Sequence, residues 1–585
     1  MVQRRCETGD VELTKSLPAY IDCKFILRRN NMALINGGHL VGKYLKEVEK
    51  IDTVFGISGG HIEAMLDGFT EYKIRTIDVR HEQAAAMMAH ATSIYTGKPG
   101  VCFLTAGPGF ANALTGIANA YLDNAPMVIL CGRHPLRDDL KGALQEIKQM
   151  DIVKPITKWS ATCFDIKRIP EYLSITFRQA VEGRPGPAFL ELPPDILSIK
   201  VEESLVPMPI RTTRKYTMHP DDDDLKSAAE IINNAKKPLF LGGSGVGLSA
   251  CSDSFRQFIE KTGIPFVLMN YGRGELPDDH PNSVMDIGSI GLMFGIGQTD
   301  VIIAAGIRFN WILQAIVIPP TVKVVRMDID PHEIDRNRMA DAGLVGDIGS
   351  VLEQLTPLVQ KKDHSEWIKT LKAAGYSVMD YEIRMRETPS DPIHPIRLVS
   401  QIQKFVGEDA MYVVDGGDTS YFGLGFSTNQ KAGVMAASSG LFGCLGTGIP
   451  FGIAAKLARP DKKVVVLNGD GSFGFNAMEF DTMVRHNIPV VCVINNDCAW
   501  GMIKHSQELS IGKDRLQCSE LGTRHYEKMV EGLGGHGEFV TEDEEIIPAL
   551  KRAFDSGKPA CINVMTDPSV TSPATPLFYQ SLKME

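Results

Sequence analysis

Two aspartates dominate the chemistry this sequence can offer. Asp470 sits between Gly469 and Gly471 in VVVLNGDGSFGF, and Asp497 closes PVVCVINND 27 positions later. Carboxylates are hard oxygen donors, and two brought together suit magnesium. The flanking glycines let backbone amides approach a phosphate, and Ser472 adds a hydroxyl where a helix would start. A bare GDGS is equally satisfied by an aspartate capping a strand-to-helix turn. What separates the two readings is whether the chain brings Asp497 to Asp470.

The surrounding elements predict that it does. Residues 464–467 and 490–494 are apolar, β-branched runs of the buried parallel-strand type, and 475–486 carries apolar residues at helical spacing. In such a βαβ unit neighbouring parallel strands end at one edge of the sheet, where ligands bind. The same alternation runs along the chain. TVFGI, IRTIDV, GVCFLTAG, PMVILCG and PAFLELP come first, then PLFLGG, PFVLM, DVIIAAG and VKVVRMDID, then MYVVDGG, VVVLNGDG, PVVCVINND and PACINVM. This predicts an α/β fold of three successive doubly wound parallel-sheet domains, at 32–200, 218–360 and 390–570. Residues 1–31 read as an N-terminal extension and 571–585 as a C-terminal tail.

At 585 residues the chain is too long for one core, and 44% hydrophobic with 23% charged residues is a globular balance. A formal charge of -10, with no Lys or Arg clusters interleaved with aromatics, argues against a nucleic-acid partner. The 11 cysteines include no CxxC, and Cys102, Cys131, Cys492 and Cys561 lie in apolar strand-like runs as buried thiols, which fits a reducing cytoplasm. No apolar run is long enough to span a membrane, and 1–31 has no continuous hydrophobic segment. GGSGVG at 242–247 has GxGxG rather than GxGxxG spacing, a weak dinucleotide signal.

A GDG followed at this interval by NND resembles the thiamine diphosphate motif, and the resemblance extends over roughly 40–568 to thiamine diphosphate enzymes of the acetolactate synthase superfamily. In that motif an aspartate and a later asparagine hold the metal that bridges the cofactor's diphosphate. The usual asparagine position falls here on Asp497, with Asn496 one earlier, so the resemblance gives the side-chain ligand role to Asp497, with Asn496 as the alternative, and a main-chain carbonyl ligand at Ala499. DVRHEQAAAMMAH implies that Glu82 shares a proton with the cofactor's aminopyrimidine ring, although a glutamate at a helix start is also favoured by the dipole. SGLFGCLGTGIPFGIAA implies that Gly443 offers its carbonyl to the pyrimidine amine while the bulk of Leu445 bends the cofactor. VVDGGDTSYF implies that Gly417, Asp418 and Thr419 join Gly469, Asp470, Gly471 and Ser472 at the diphosphate.

FGISGGHIEAML and RDDLKGALQEIKQMDIVKPITKW are similar to benzaldehyde lyase and to one type of 2-hydroxyacyl-CoA lyase. That likeness implies that His61 relays a hydroxyl proton and that Gln145 holds a substrate oxygen. A lone histidine beside a glycine turn also reads as structural, as does a glutamine at a helix boundary. GIRFNWILQ and VVRMDIDPHEIDRNR resemble oxalyl-CoA decarboxylase, implying an ADP-type nucleotide near Arg308, Asp328 and Asp330. Acetolactate synthases place FAD there, but NWIL stands where their arginine-and-aspartate string is expected. The resemblance thus implies a thiamine diphosphate- and Mg-dependent carbon-carbon lyase or carboligase acting on 2-hydroxy ketones, aldehydes or 2-hydroxyacyl thioesters. The alternatives are an acetolactate synthase-like decarboxylating carboligase using pyruvate and, from another class, a non-catalytic nucleotide-binding protein. It also implies a homodimer or homotetramer, in which Glu82 and Asp470 serve one cofactor from different subunits.

Overall fold

The computed structural model describes residues 33–285, 296–310, 313, 318–428, 435–437, 440–576 and 579. The expected extension at 1–31 and most of the expected tail lie outside these residues.

Three parallel sheets follow one another along the chain. The first orders its strands Arg75–Asp78, Thr53–Gly56, Gly100–Leu104, Met127–Gly132, Pro187–Leu192 and Trp159–Thr162. The second orders Phe266–Leu268, Pro238–Gly242, Val301–Ala305, Lys323–Asp328 and Ala342–Val345. The third orders Met435–Ala437, Met411–Asp415, Val464–Gly469, Val491–Asn496, Ala560–Met565 and His536–Val540. Counted within each domain, the first and third share the order 2-1-3-4-6-5, and the second runs 2-1-3-4-5. The order therefore reverses between strands 1 and 3 in every domain, which is where open α/β sheets leave a crevice at their carboxyl edge. Central strands such as Gly100–Leu104 and Val464–Gly469 are buried at every position because helices cover both faces. A short antiparallel pair, Leu34–Asn36 with Lys200–Glu202, ties the start of the first domain to its end.

The first and third domains pack through two helices that occupy equivalent places, each following strand 2 of its own sheet. Helix Glu82–Thr96 buries alanines and methionines around its whole circumference, as a helix enclosed on all sides must. It lies against helix Gly448–Ala458, with the His90 and Phe451 rings edge to face at 5.0 Å. The helix ends at Gly97, whose φ of 67° is a left-handed cap.

One expected element is corrected. The single helix anticipated over 475–486 is two helices, Asp470–Asn476 and Glu479–His486. The first begins directly at Asp470 from an extended Gly469, and the break at Ala477 and Met478 re-aims the second so that Glu479 turns inward while Phe475 and Met478 stay exposed. Among the described residues no helix is long and apolar enough to cross a membrane.

Candidate active site

Parallel register pairs Gly469 with Asn495, so Asp470 and Asp497 leave neighbouring strands at nearly the same level. Their carboxyls face one another. Burial pushes both well above the usual carboxylate range, and the charge of Asp497 pushes Asp470 further. Asp470 is buried; its Oδ1 accepts from the Gly471 amide at 2.8 Å, while its Oδ2 has no partner. Asp497 accepts from the Ala499 amide at 3.2 Å. Asn496 turns away, donating to Asn563 Oδ1 at 2.9 Å and accepting from the Cys498 amide at 3.0 Å. A buried and a half-buried carboxyl forced together, with one oxygen of Asp470 orphaned, form a donor set that a divalent cation relieves.

Around this pair the edge is close-built. A side chain at Gly471 would meet the Trp500 ring at 2.5 Å, so only glycine lets the backbone pass there. Ser472 donates to the Gly469 carbonyl at 3.0 Å, and Thr419 accepts from Asn495 at 2.9 Å. Gly417 caps helix Asp418–Gly425 at the same edge. The Asp418 carboxylate is engaged by His505 at 2.8 Å and by the Thr575 hydroxyl at 2.6 Å. It fixes the helix from inside, and its neighbours' backbone faces the edge. Gly443, at φ 62°, and the half-buried Leu445 lie in the loop before helix Gly448–Ala458. That loop is pinned by Asn476 to the Gly446 carbonyl at 2.6 Å and by Asp415 to the Gly448 amide at 2.8 Å.

The other candidates gather at the carboxyl edge of the first sheet. Glu82 is buried at the start of its helix and accepts from the Asn112 amide at 2.9 Å. His61 follows strand Thr53–Gly56; its ring hydrogen-bonds to the backbone of Leu144, and burial pushes its pKa down, which favours the neutral imidazole. Gln145 stands next, held at φ 62° with its buried amide oxygen unpartnered. The start of helix Pro108–Leu122 lies between: its cap Gly107 packs against Gln145, and Gly109 of its first turn against the Glu82 carboxylate. Glu82 and Gln145 thus border the same short segment, and His61 reaches it through the backbone of Leu144, the neighbour of Gln145.

Residues 35–152, 225–355 and 415–564 match, in turn, the N-terminal TPP binding domain, the central domain and the C-terminal TPP binding domain of thiamine pyrophosphate enzymes. An acetolactate synthase large subunit of Mycobacterium tuberculosis is 36% identical over 545 residues, 92% of this chain and 97% of that protein. The 2-hydroxyacyl-CoA lyase 1 of Mus musculus is 31% identical over 570 residues, 92% and 95% of the two chains. The 2-hydroxyacyl-CoA lyase of Arabidopsis thaliana is 32% identical over 556 residues, 91% and 96%. The chain belongs to the thiamine pyrophosphate enzyme family. It is a thiamine pyrophosphate-dependent enzyme of the acetolactate synthase-like type, and its orphaned Asp470 oxygen and open glycine edge fit a metal and a diphosphate.

In this thiamine pyrophosphate enzyme the central domain contributes a cleft at its own strand 1 to strand 3 switch, lined by Gly243, Ser244, Gly306, Arg308, Asp123 and Leu441 among others. Arg308 lines it while donating to the Leu122 carbonyl at 2.7 Å. Asp328 and Asp330 are not in its wall: Asp328 accepts from the Asp330 amide at 3.0 Å, and Asp330 pairs with Arg184 of the first domain at 3.0 Å.

Several important residues escaped the sequence reading. Gln149 accepts from the Gly107 amide at 2.8 Å and donates to Glu191 at 2.9 Å, bracing the loop under Gln145. Asp123 accepts from Tyr271 of the central domain at 3.0 Å, and Tyr271 meets His90 at 3.0 Å. Glu479, Asn112 and His505 likewise carry no local motif; the apolar surroundings of a lone polar residue in FNAMEF and GFANAL were the one available signal.

Proposed function

We propose that this enzyme is a thiamine diphosphate- and magnesium-dependent carbon-carbon lyase or carboligase acting on 2-hydroxy ketones, aldehydes or 2-hydroxyacyl thioesters. The observation that carries the substrate class is the buried His61, hydrogen-bonded to the backbone of Leu144 next to Gln145, whose backbone packs on Gly107 while Gly109 packs on Glu82. When bound, thiamine diphosphate supplies a nucleophilic carbon and an electron sink for breaking or making a bond next to a carbonyl. The side chains of Asp470 and Asp497 and the carbonyl of Ala499 hold the magnesium. Gly417, Thr419, Gly469, Gly471 and Ser472 line the diphosphate. Gly443 and Leu445 orient the rings, and Glu82 holds the proton at the pyrimidine nitrogen. His61 moves the substrate hydroxyl proton, and the Gln145 amide orients the substrate oxygen.

The 36% identity to an acetolactate synthase favours a second reading, a decarboxylating carboligase using pyruvate. Incubating the protein with thiamine diphosphate, magnesium and, separately, benzoin, a 2-hydroxyacyl-CoA and pyruvate separates the two. Aldehyde release without carbon dioxide supports the lyase; carbon dioxide from pyruvate alone rejects it. Glu82→Gln is expected to retain cofactor and lose most turnover, and full activity in that variant would refute its role.

The same reading makes the molecule a homodimer or homotetramer. Leu140, Leu144, Phe442, Phe475 and Met478 expose large apolar side chains on the segments that border the candidate site. The central cleft is a fitting place for an ADP-type nucleotide portion of a substrate, or for FAD, and calorimetric titration with ADP and with FAD distinguishes them.

A further inference from the structure

The second helix after the GDG turn grips the segment that leads into Glu82. Glu479, only 1% exposed, is the first residue of helix Glu479–His486 in the third domain. Its carboxylate accepts from the Arg80 amide at 3.0 and 3.2 Å and from the His81 amide at 3.1 Å, in the first domain. The Thr482 hydroxyl donates to it at 2.6 Å. At its other end the same helix reaches back through His486, whose ring meets Asp78 at 2.7 Å and whose carbonyl accepts from Arg75 at 3.1 Å. Arg485 adds an ion pair to Asp78. Residues 75–81, the strand and turn immediately before Glu82, are therefore clamped at both ends by one helix of the other domain.

A buried carboxylate is a costly way to fill space, and an apolar residue would pack there more cheaply. What the carboxylate does that an apolar residue does not is fix two consecutive backbone amides whose direction sets the first turn of helix Glu82–Thr96. Misplacing a reacting group by about 1 Å costs on the order of 10²-fold in rate. We propose that Glu479 is a positioning residue that holds Glu82 in register with the cofactor. The proposal rests on the catalytic reading of Glu82. It makes the place of that carboxyl a joint property of the first domain and of the domain that carries Asp470.

The test uses full-length Glu479→Ala and Glu479→Gln. In cofactor-free protein, amide hydrogen exchange of a peptide spanning 78–83 is expected to speed up at least about tenfold in Glu479→Ala, with the rest of the first sheet unchanged. Turnover is expected to fall about 10- to 100-fold with KM and magnesium affinity within about threefold, and Glu479→Gln, which keeps one acceptor oxygen, to fall between. Unchanged exchange at 78–83 overturns the proposal, as does unchanged kcat alongside faster exchange. If Glu479→Ala does not fold, the isosteric Glu479→Gln carries the same two measurements. Full activity in Glu82→Gln together with faster exchange in Glu479→Ala would instead overturn the reading of Glu82 and leave the latch standing.

Discussion

Asn496 donates its side-chain amide to Asn563 at 2.9 Å, and the next residue, Asp497, is thereby the side chain left facing Asp470. This division of labour between adjacent residues is testable. Asp497→Ala is expected to lower magnesium affinity by at least about tenfold, whereas Asn496→Ala should chiefly lower the melting temperature, because it breaks a buried amide pair worth about 1 kcal/mol or more. Asp497→Asn, which keeps an oxygen donor, should retain most of the metal response. Titrating cofactor-dependent activity against magnesium in the three variants decides it; loss of metal response in Asn496→Ala alone would reverse the assignment.

The contact of Gly471 with the Trp500 ring predicts a strong steric coupling. Gly471→Ala should destabilise by roughly 1–3 kcal/mol and weaken cofactor binding, since the Cβ cannot be accommodated without moving the indole. The double variant Gly471→Ala/Trp500→Leu should recover part of that loss. A double-mutant cycle by urea unfolding measures the coupling, and additive effects would mean that the ring gives way freely.

Burial pushes Asp123 up to about 7, against the donation it receives from Tyr271 and the pull of Arg308. The unfolded carboxyl titrates near 3.8, so the folded state binds the proton more tightly. Its stabilising contribution is complete below the unfolded value and disappears as pH rises through about 7, an effect on the order of 4 kcal/mol at most. Asp123→Asn keeps an acceptor for Tyr271 and should flatten stability between pH 5 and 8. Denaturant midpoints at the two pH values provide the check, and an unchanged slope would show that Asp123 titrates elsewhere.

His61→Ala should retain cofactor and fold while losing about 10²- to 10⁴-fold in turnover, the usual worth of a positioned acid-base group. A purely structural histidine would instead lower the melting temperature and leave the rate of the folded fraction intact. Comparing kcat with the thermal midpoint of the same sample distinguishes these.

Sequence patterns exposed the central strands and the edge strands in IRTIDV and PFVLM, and missed several other edges. VVVLNG and PMVILCG are buried on both faces and read as unbroken apolar runs, whereas Trp159–Thr162, Ala342–Val345 and His536–Val540 pair on one side only and keep half-exposed residues that blur the pattern. Asp470 and Asp497 stand out in the sequence because each closes such a run, whereas Glu82 follows the exposed edge strand Arg75–Asp78 and stood out only by resemblance. The partners of Asp418 were not legible, since His505 and Thr575, which engage it, lie 87 and 157 positions away. Glu479 and Asp123 were invisible for the same reason: their partners belong to other domains, and no local window contains them.

The first and third sheets have one strand order, and the helices through which they meet occupy equivalent positions in each. Such a contact is nearly isologous, like the interface of a two-fold dimer, although both halves lie on one chain. The two halves are nonetheless equipped differently: one carries carboxyls at the ends of strands 3 and 4, the other a single carboxyl at the start of the helix after strand 2. Neither half alone holds both sets, so separating them would divide the candidate site whatever each half's own stability.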